Sequence, residues 1–264
     1  MTRLLKVEAT GNDFVLGIGD WARRLADDAE LVIRLCDRRR GIGADGALAL
    51  RVDGPDAVTV VHRNADGSRS DFCANGTRCA ARAAVELLDL PHRLTVVTGW
   101  ARIPAEVGAD AVTLELPAPT RPTDVTLASA GRNLRGRRIS VGVPHLVVPV
   151  TGLAEIDLDG VARPLRGHPD LGPEGANVHL VEHLSDGTLA IRSLERGVDT
   201  EVLCCGSGVV ASALVTMAEA GLTTLTVVPL SGDPLLVEAL DEPPCCPSRL
   251  TGPARLVAAI ELLD

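Results

Sequence analysis

Apolar residues recur along the chain in two rhythms. Short alternating or continuous runs, bounded by Gly, Pro, Asn or Asp, mark strands, and runs spaced by three or four residues mark helices. Strands are expected at 3–8 and 13–18, parted by the turn residues Gly11-Asn12. One helix is expected over 21–37, with Trp21, Leu25, Leu31, Ile33 and Leu35 as its apolar positions. The loop Arg38-Arg39-Arg40-Gly41-Ile42-Gly43-Ala44-Asp45-Gly46 leads to strands near 47–52 and 57–62, the turn Asn64-Ala65-Asp66-Gly67 and a short strand to Phe72. A helix then runs to about Leu88, and strands follow at 94–99 and 112–116. Pro117, Pro119 and Pro122 mark a boundary.

The second half repeats this order. Strands near 138–142 and 145–150 precede a helical or irregular stretch, broken by Pro164, that reaches Pro173. Strands at 177–182 and 188–194 lead to a helix ending near Ala220, and strands at 223–228, 235–240 and 254–261 close the chain. In both halves the prominent helix is entered through a Gly-containing turn opened by a cysteine: Cys73-Ala74-Asn75-Gly76-Thr77-Arg78-Cys79 and Cys205-Gly206-Ser207-Gly208-Val209. Counting back from each cysteine, Asn64 falls opposite Arg196 and Arg63 opposite Glu195. This echo predicts two similar α+β lobes. Residues 1–118, completed by the last strand near 254–264, form the first, and 119–253 form the second.

Composition narrows the function. At 264 residues and 46% hydrophobic, the chain can bury a substantial core. Its start, MTRLLKVEATGNDF, lacks an apolar signal core, and no run of 18 apolar residues occurs, so a cytoplasmic protein without a membrane partner is expected. Seven cysteines then read as thiols rather than disulfides. A net charge of −9 with 2% aromatics lacks the footprint of nucleic-acid binding. Of 26 basic residues only Lys6 is a lysine, and nothing around it suggests a Schiff base. Proton abstraction from an amino acid would therefore proceed without pyridoxal phosphate, and no cofactor is expected. Cys204 and Cys245-Cys246 lack C-x-x-C spacing, so no metal is expected either, and Cys36 and Cys79 read as core residues.

Cys73 and Cys205 carry the chemistry. A thiol at a helix N-terminus meets unsatisfied N–H groups and the positive end of the macrodipole, which favour its thiolate. Two such thiols brought to one substrate can take a proton from one face of a carbon and return one to the other. The same helix starts, around Ala74, Asn75, Gly76, Gly206 and Ser207, are anion sites suited to a carboxylate.

These segments resemble the diaminopimelate epimerase family. The resemblance rests on Thr10-Gly11-Asn12-Asp13-Phe14, Arg40 to Gly46, Arg63 to Ser68 running into the Cys73 turn, Gly142-Val143-Pro144-His145, Ala176-Asn177-Val178, and Glu195-Arg196-Gly197 before the Cys205 turn. It implies an α+β fold of two pseudo-symmetric lobes, each a curved, mostly antiparallel sheet around a central helix. It also implies a cofactor-independent epimerase or racemase, with Cys73 and Cys205 as alternating base and acid. Asn12, Asn64, Asn177, Glu195 and Arg196 match positions that grip the substrate's amino and carboxylate groups, and His145 a histidine near the catalytic pair. Such enzymes act on a small-molecule amino-acid substrate, with diaminopimelate the leading candidate; a homodimer is compatible with this reading. Family members that act on diaminopimelate usually carry Asn where this chain has Val143, and Gly where it has Ala74, which leaves room for another amino acid. A relative using a carboxylate base and a non-catalytic binder are the competing readings.

Overall fold

A computed structural model of the chain describes residues 3–263; Met1, Thr2 and Asp264, the outermost residues of the expected first lobe, lie outside them. The fold is α+β and divides into two compact units, one taking the chain up to Leu114 and resuming at Gly252, the other Glu115–Thr251.

In the first unit Arg3–Ala9 and Asn12–Ile18 form a hairpin (Ala9 opposite Asn12) across a turn in which Thr10 and Gly11 both take positive φ, 53° and 81°. The returning strand Arg255–Ile260 pairs antiparallel with Arg3–Ala9. Asn12–Ile18 then pairs parallel with Gly46–Val52 (Phe14 beside Gly46). Parallel neighbours need a long crossover, supplied here by α1 (Asp20–Asp27) and α2 (Ala29–Cys36). Gly46–Val52 pairs antiparallel with Ala57–Asn64, which meets Arg93–Val97 in a second parallel step (Ala57 beside Thr95). That crossover is α3 (Ala74–Leu88), the helix opened by Cys73. The antiparallel strands Arg102–Val107 and Val112–Leu116 follow.

The second unit repeats the plan. Arg132–Val141 pairs antiparallel with Val143–Pro149, which steps parallel to Asn177–His183 (His145 beside Asn177) across α4 (Leu158–Arg166). Asn177–His183 pairs antiparallel with Leu189–Leu194, which steps parallel to Thr224–Val228 across α5 (Gly206–Ala220), the helix opened by Cys205. Leu235–Ala239 and Ser248–Gly252 complete it. In each unit the cysteine helix is thus the crossover of the second parallel step. Both helices are buried on nearly every side, α3 from Ala74 to Ala84 and α5 from Gly206 to Val215. That explains their Ala- and Val-rich sequences without an amphipathic stripe.

Four local expectations are corrected. The helix expected over 21–37 is two, because Asp28 leaves helical geometry and caps α2, accepting from the Leu31 N–H at 2.8 Å. Pro164 does not break its stretch but sits inside α4, two residues from the end, where a missing N–H costs one bond only. Strands at Arg102–Val107 and Thr123–Ser129, and one at Ser248–Gly252, had not been expected. The strand expected at 138–142 begins earlier, at Arg132.

Candidate active site

The first unit builds a polar cluster around Cys73. The residue is the N-cap of α3: its backbone is extended, and its sulfur accepts from the Gly76 N–H at 3.4 Å. Its thiol donates toward Asn12 Oδ1 at 3.7 Å, and the same oxygen accepts from Asn75 Nδ2 at 3.2 Å. Asn12 Nδ2 donates to Asp45 at 2.8 Å. Behind Asp45 stands an ionic lattice in which Arg38 bridges Asp13 and Asp45 (2.7 and 2.6 Å) and Lys6 reaches Asp13 at 2.5 Å and the Gly43 carbonyl. Burial would raise the Asp13 pKa, but the Arg38 and Lys6 contacts outweigh it and hold the group down at about 2. On the other side, fully buried Arg78 donates to Asn75 Oδ1 at 3.0 Å and to Thr10 Oγ1 at 3.2 Å. Asn75 is therefore held from both sides. Ala74 and Gly76 share its helix turn, and a Cβ at Gly76 would meet Leu48 Cδ2 at 2.9 Å. Asn64 pairs with Gly46, next to Asp45, at the exposed end of its strand, and its amide donates to Ser68 Oγ at 2.9 Å.

The second unit builds a drier cluster around Cys205, the N-cap of α5 and 4% exposed. Its sulfur lies 3.8 Å from Ser207 Oγ, and the Glu195 carboxylate hydrogen-bonds the thiol. Burial and then the Glu195 charge push this thiol well above the ordinary cysteine pKa, against a weaker opposing pull from the Gly208 amide. Cys205 is thus protonated at neutral pH in this conformation.

His145 and His179, both fully buried, stand beside it. His145 Nδ1 and His179 Nε2 share a proton across 2.9 Å, and His179 Nδ1 meets Ser193 Oγ at 2.8 Å. Burial lowers both rings, His145 to about 3, so they are neutral. Asn177 accepts the Arg196 backbone N–H at 2.9 Å. The Arg196 guanidinium donates to the Glu174 carbonyl at 3.3 Å, and its charge is felt at His145. Gly206 and Ser207 form the helix start.

The structure therefore groups Asn12, Cys73, Ala74, Asn75 and Gly76 in one unit, and His145, Glu195, Cys205, Gly206 and Ser207 in the other. Sequence reasoning missed Arg78, His179, Ser193 and the Lys6–Asp13–Arg38–Asp45 lattice. Only Arg78 had left a signal, a cation that, like Arg82, stands amid alanines in a helix buried on nearly every side. Lys6 is engaged in that lattice. Among the described residues, one group could hold a metal ion: ligating atoms of His145, His179 and Cys205 lie within 4.8 Å of one another. It joins different strands and so has no spacing to read. Among the described residues, no helix is long and apolar enough to cross a membrane.

This α+β fold is shared with solved structures. A hydroxyproline epimerase from Agrobacterium vitis superposes with a TM-score of 0.74 at 16% identity, covering 99% of this chain and 90% of that one. A phenazine biosynthesis protein of the PhzF family from Enterococcus faecalis gives 0.75 at 14%, covering 99% and 100%. At those identities the likeness is one of fold. A family model described as diaminopimelate epimerase matches residues 4–114 and 138–257. The diaminopimelate epimerase of Aquifex aeolicus (strain VF5) is 33% identical over 248 residues, 88% of each chain, and that of Mycobacterium sp. (strain KMS) 35% identical, covering 97% of this chain and 95% of its own. The chain belongs to the diaminopimelate epimerase family, and it is an isomerase of the epimerase and racemase kind.

Proposed function

We propose that the enzyme inverts the α-carbon of an amino acid, diaminopimelate in the first instance, with Cys73 and Cys205 as its acid–base pair. One observation carries this reading: each unit places a cysteine as the N-cap of the buried helix that makes its second parallel crossover. In one direction the Cys73 thiolate takes the α-proton and becomes a thiol. The electron pair is left on the α-carbon and its carboxylate, and Cys205 gives up its thiol proton to the opposite face, becoming the thiolate. The reverse direction exchanges the roles. The carboxylate charge falls to the N–H groups at the helix starts, around Ala74, Asn75, Gly76, Gly206 and Ser207. Such preorganised donors commonly contribute about 10²–10³ in rate each.

Glu195 gives the cycle a switch. Its charge adds to burial in keeping Cys205 protonated in the free enzyme. A substrate ammonium paired with Glu195 would remove that added pressure and favour the Cys205 thiolate when substrate is present. Asn12, Asn64, Asn177 and Arg196 complete the grip on the amino and carboxylate groups, and His145 supports Cys205.

A specific observation favours a second substrate reading. Asn12 and Val143 are the opening residues of equivalent strands, each after a positive-φ glycine (Gly11 and Gly142). The repeat thus puts an apolar side chain where its partner has an amide. Losing a hydrogen bond to a charged group costs about 1.5–3 kcal/mol, which would favour an amino acid without a distal carboxylate. Incubation in D₂O with a panel of amino acids, diaminopimelate included, tests both readings. Deuterium should enter the α-position of the true substrate, and Cys73→Ser and Cys205→Ser should each abolish uptake. Exchange retained in both variants defeats the two-thiol mechanism.

A further inference from the structure

Two neutral imidazoles and a buried thiol converge in the second unit, and the reading above uses them only in part. His145 and His179 are 0% exposed and Cys205 4%. Ligating atoms of all three lie within 4.8 Å of one another. His145 Nε2 is buried and makes no hydrogen bond of good geometry, although the Val141 backbone is a hydrogen-bonding neighbour of the ring.

The hydrogen bonds around the rings settle how they would ligate. If His179 donates Nδ1–H to Ser193 Oγ, its Nε2 faces His145 Nδ1 across 2.9 Å, and a cation held by these two nitrogens takes the place of the proton between them. That proton moves to His145 Nε2, where the Val141 backbone is the ring's other hydrogen-bonding neighbour. Metal-bound imidazoles have this arrangement, in which the distal N–H is fixed by an outer hydrogen bond.

We propose that His145, His179 and Cys205 form a binding site for a thiophilic divalent cation, Zn²⁺, and that occupancy silences Cys205. Zinc binds imidazole nitrogen at about 2.0–2.1 Å and thiolate sulfur at about 2.3 Å, so tetrahedral ligands stand about 3.3–3.6 Å apart. Ring and sulfur movements of about 1 Å reach that spacing. On binding, the thiol proton leaves to solvent and the sulfur becomes a ligand. Three protein ligands leave the fourth position to water. The site stands on its own geometry; the inhibition rests on the proposed role of Cys205.

The test uses the reduced, metal-free, full-length enzyme with Zn²⁺ and Co²⁺ as probes. Binding of one Co²⁺ per chain with a thiolate-to-metal charge-transfer band is expected, and Cys205→Ser should lose that band. Zn²⁺ should stop α-deuterium uptake, and a chelator should restore it. His145→Gln and His179→Gln should each weaken Zn²⁺ binding at least tenfold, and Ser193→Ala, which loosens His179, by about 10–100-fold. Cobalt bound without the thiolate band in the wild-type protein overturns the site, whatever the variants do. So does an unchanged zinc affinity in a folded His179→Gln protein. The two failures separate cleanly: exchange surviving in Cys205→Ser sinks the acid–base role alone, and a missing cobalt band sinks the metal site alone.

Discussion

At the scale of single residues, Gly208 decides how the second cluster is built. A Cβ there would stand 2.1 Å from His179 Cε1 and 2.4 Å from its Nε2, so the histidine ring lies where any other residue's side chain would begin. Gly76, its counterpart in α3, would meet only the end of Leu48 at 2.9 Å, a flexible tip that can turn aside. Gly208→Ala is therefore expected to cost about 1–3 kcal/mol, as overpacking of a filled core does, and Gly76→Ala less. Adding His179→Ala should recover part of the Gly208→Ala loss, because the two changes share one space. Urea melts of the two single variants and the double variant measure this, and strict additivity would show that the ring moves away freely. Glu195 carries a second prediction at this scale. Its charge is the main electrostatic cause of the raised Cys205 pKa, so Glu195→Gln should increase the thiolate fraction and speed alkylation of Cys205 at fixed pH. Peptide mapping of iodoacetamide-labelled protein reads this directly, and an unchanged rate would mean that burial alone controls the thiol.

At the scale of elements, the α1–α2 break shows what one side chain can do. Periodicity runs through 21–37, and nothing in the apolar pattern divides it. The division comes from Asp28, whose carboxylate satisfies the Leu31 N–H and so starts a new helix. Asp28→Ala should lower stability by about 1 kcal/mol, read as a shifted denaturation midpoint with an unchanged slope. The strand Arg102–Val107 was hidden for a different reason. Its burial alternates perfectly, but Pro104 removes a ladder donor and makes the stretch read as a loop. Thr123–Ser129 and Ser248–Gly252 were missed as well, but the other strands and both cysteine helices were legible, because they depend on local rhythm and turn residues. The parallel steps were not, since pairing partners leave no local mark. The same division holds for the candidate site. Cys73, Asn75 and Cys205 announce themselves through Gly turns at helix starts. His179 sits in Asn177-Val178-His179-Leu180, where a fully buried strand reads alike whether or not one member bonds to a histidine 34 residues away in sequence. Arg78 needed the knowledge that α3 has no solvent face.

At the scale of the whole molecule, the buried histidines set an acid limit on stability. His62 is held down at about 4 and His145 at about 3, in both cases by burial, and His179 is also lowered well below its usual value. An unfolded histidine titrates near 6.5. Below that value the unfolded chain takes up protons that the folded rings refuse. The stability these neutral rings confer is therefore fully present above about pH 6.5 and is lost progressively as pH falls toward their folded values. By pH 5 the loss is on the order of 1–2 kcal/mol for each ring, least for His62, which is only partly shielded. Asp13 acts in a lower window: held at about 2 by Arg38 and Lys6 against its burial, it contributes above about pH 3.8 and loses that contribution as pH falls through 2. Its share is on the order of 1 kcal/mol once solvent screening of the partly exposed Arg38 is allowed for. Urea midpoints measured from pH 7.5 to 4.5 should thus fall steadily, beginning before any carboxylate titrates. His145→Gln should flatten the slope in that window by about one proton's worth while leaving the decline below pH 3.8 intact. A midpoint that holds level down to pH 4.5 would mean that water reaches these rings in the folded protein, and with it the dry second cluster around Cys205 would have to be abandoned.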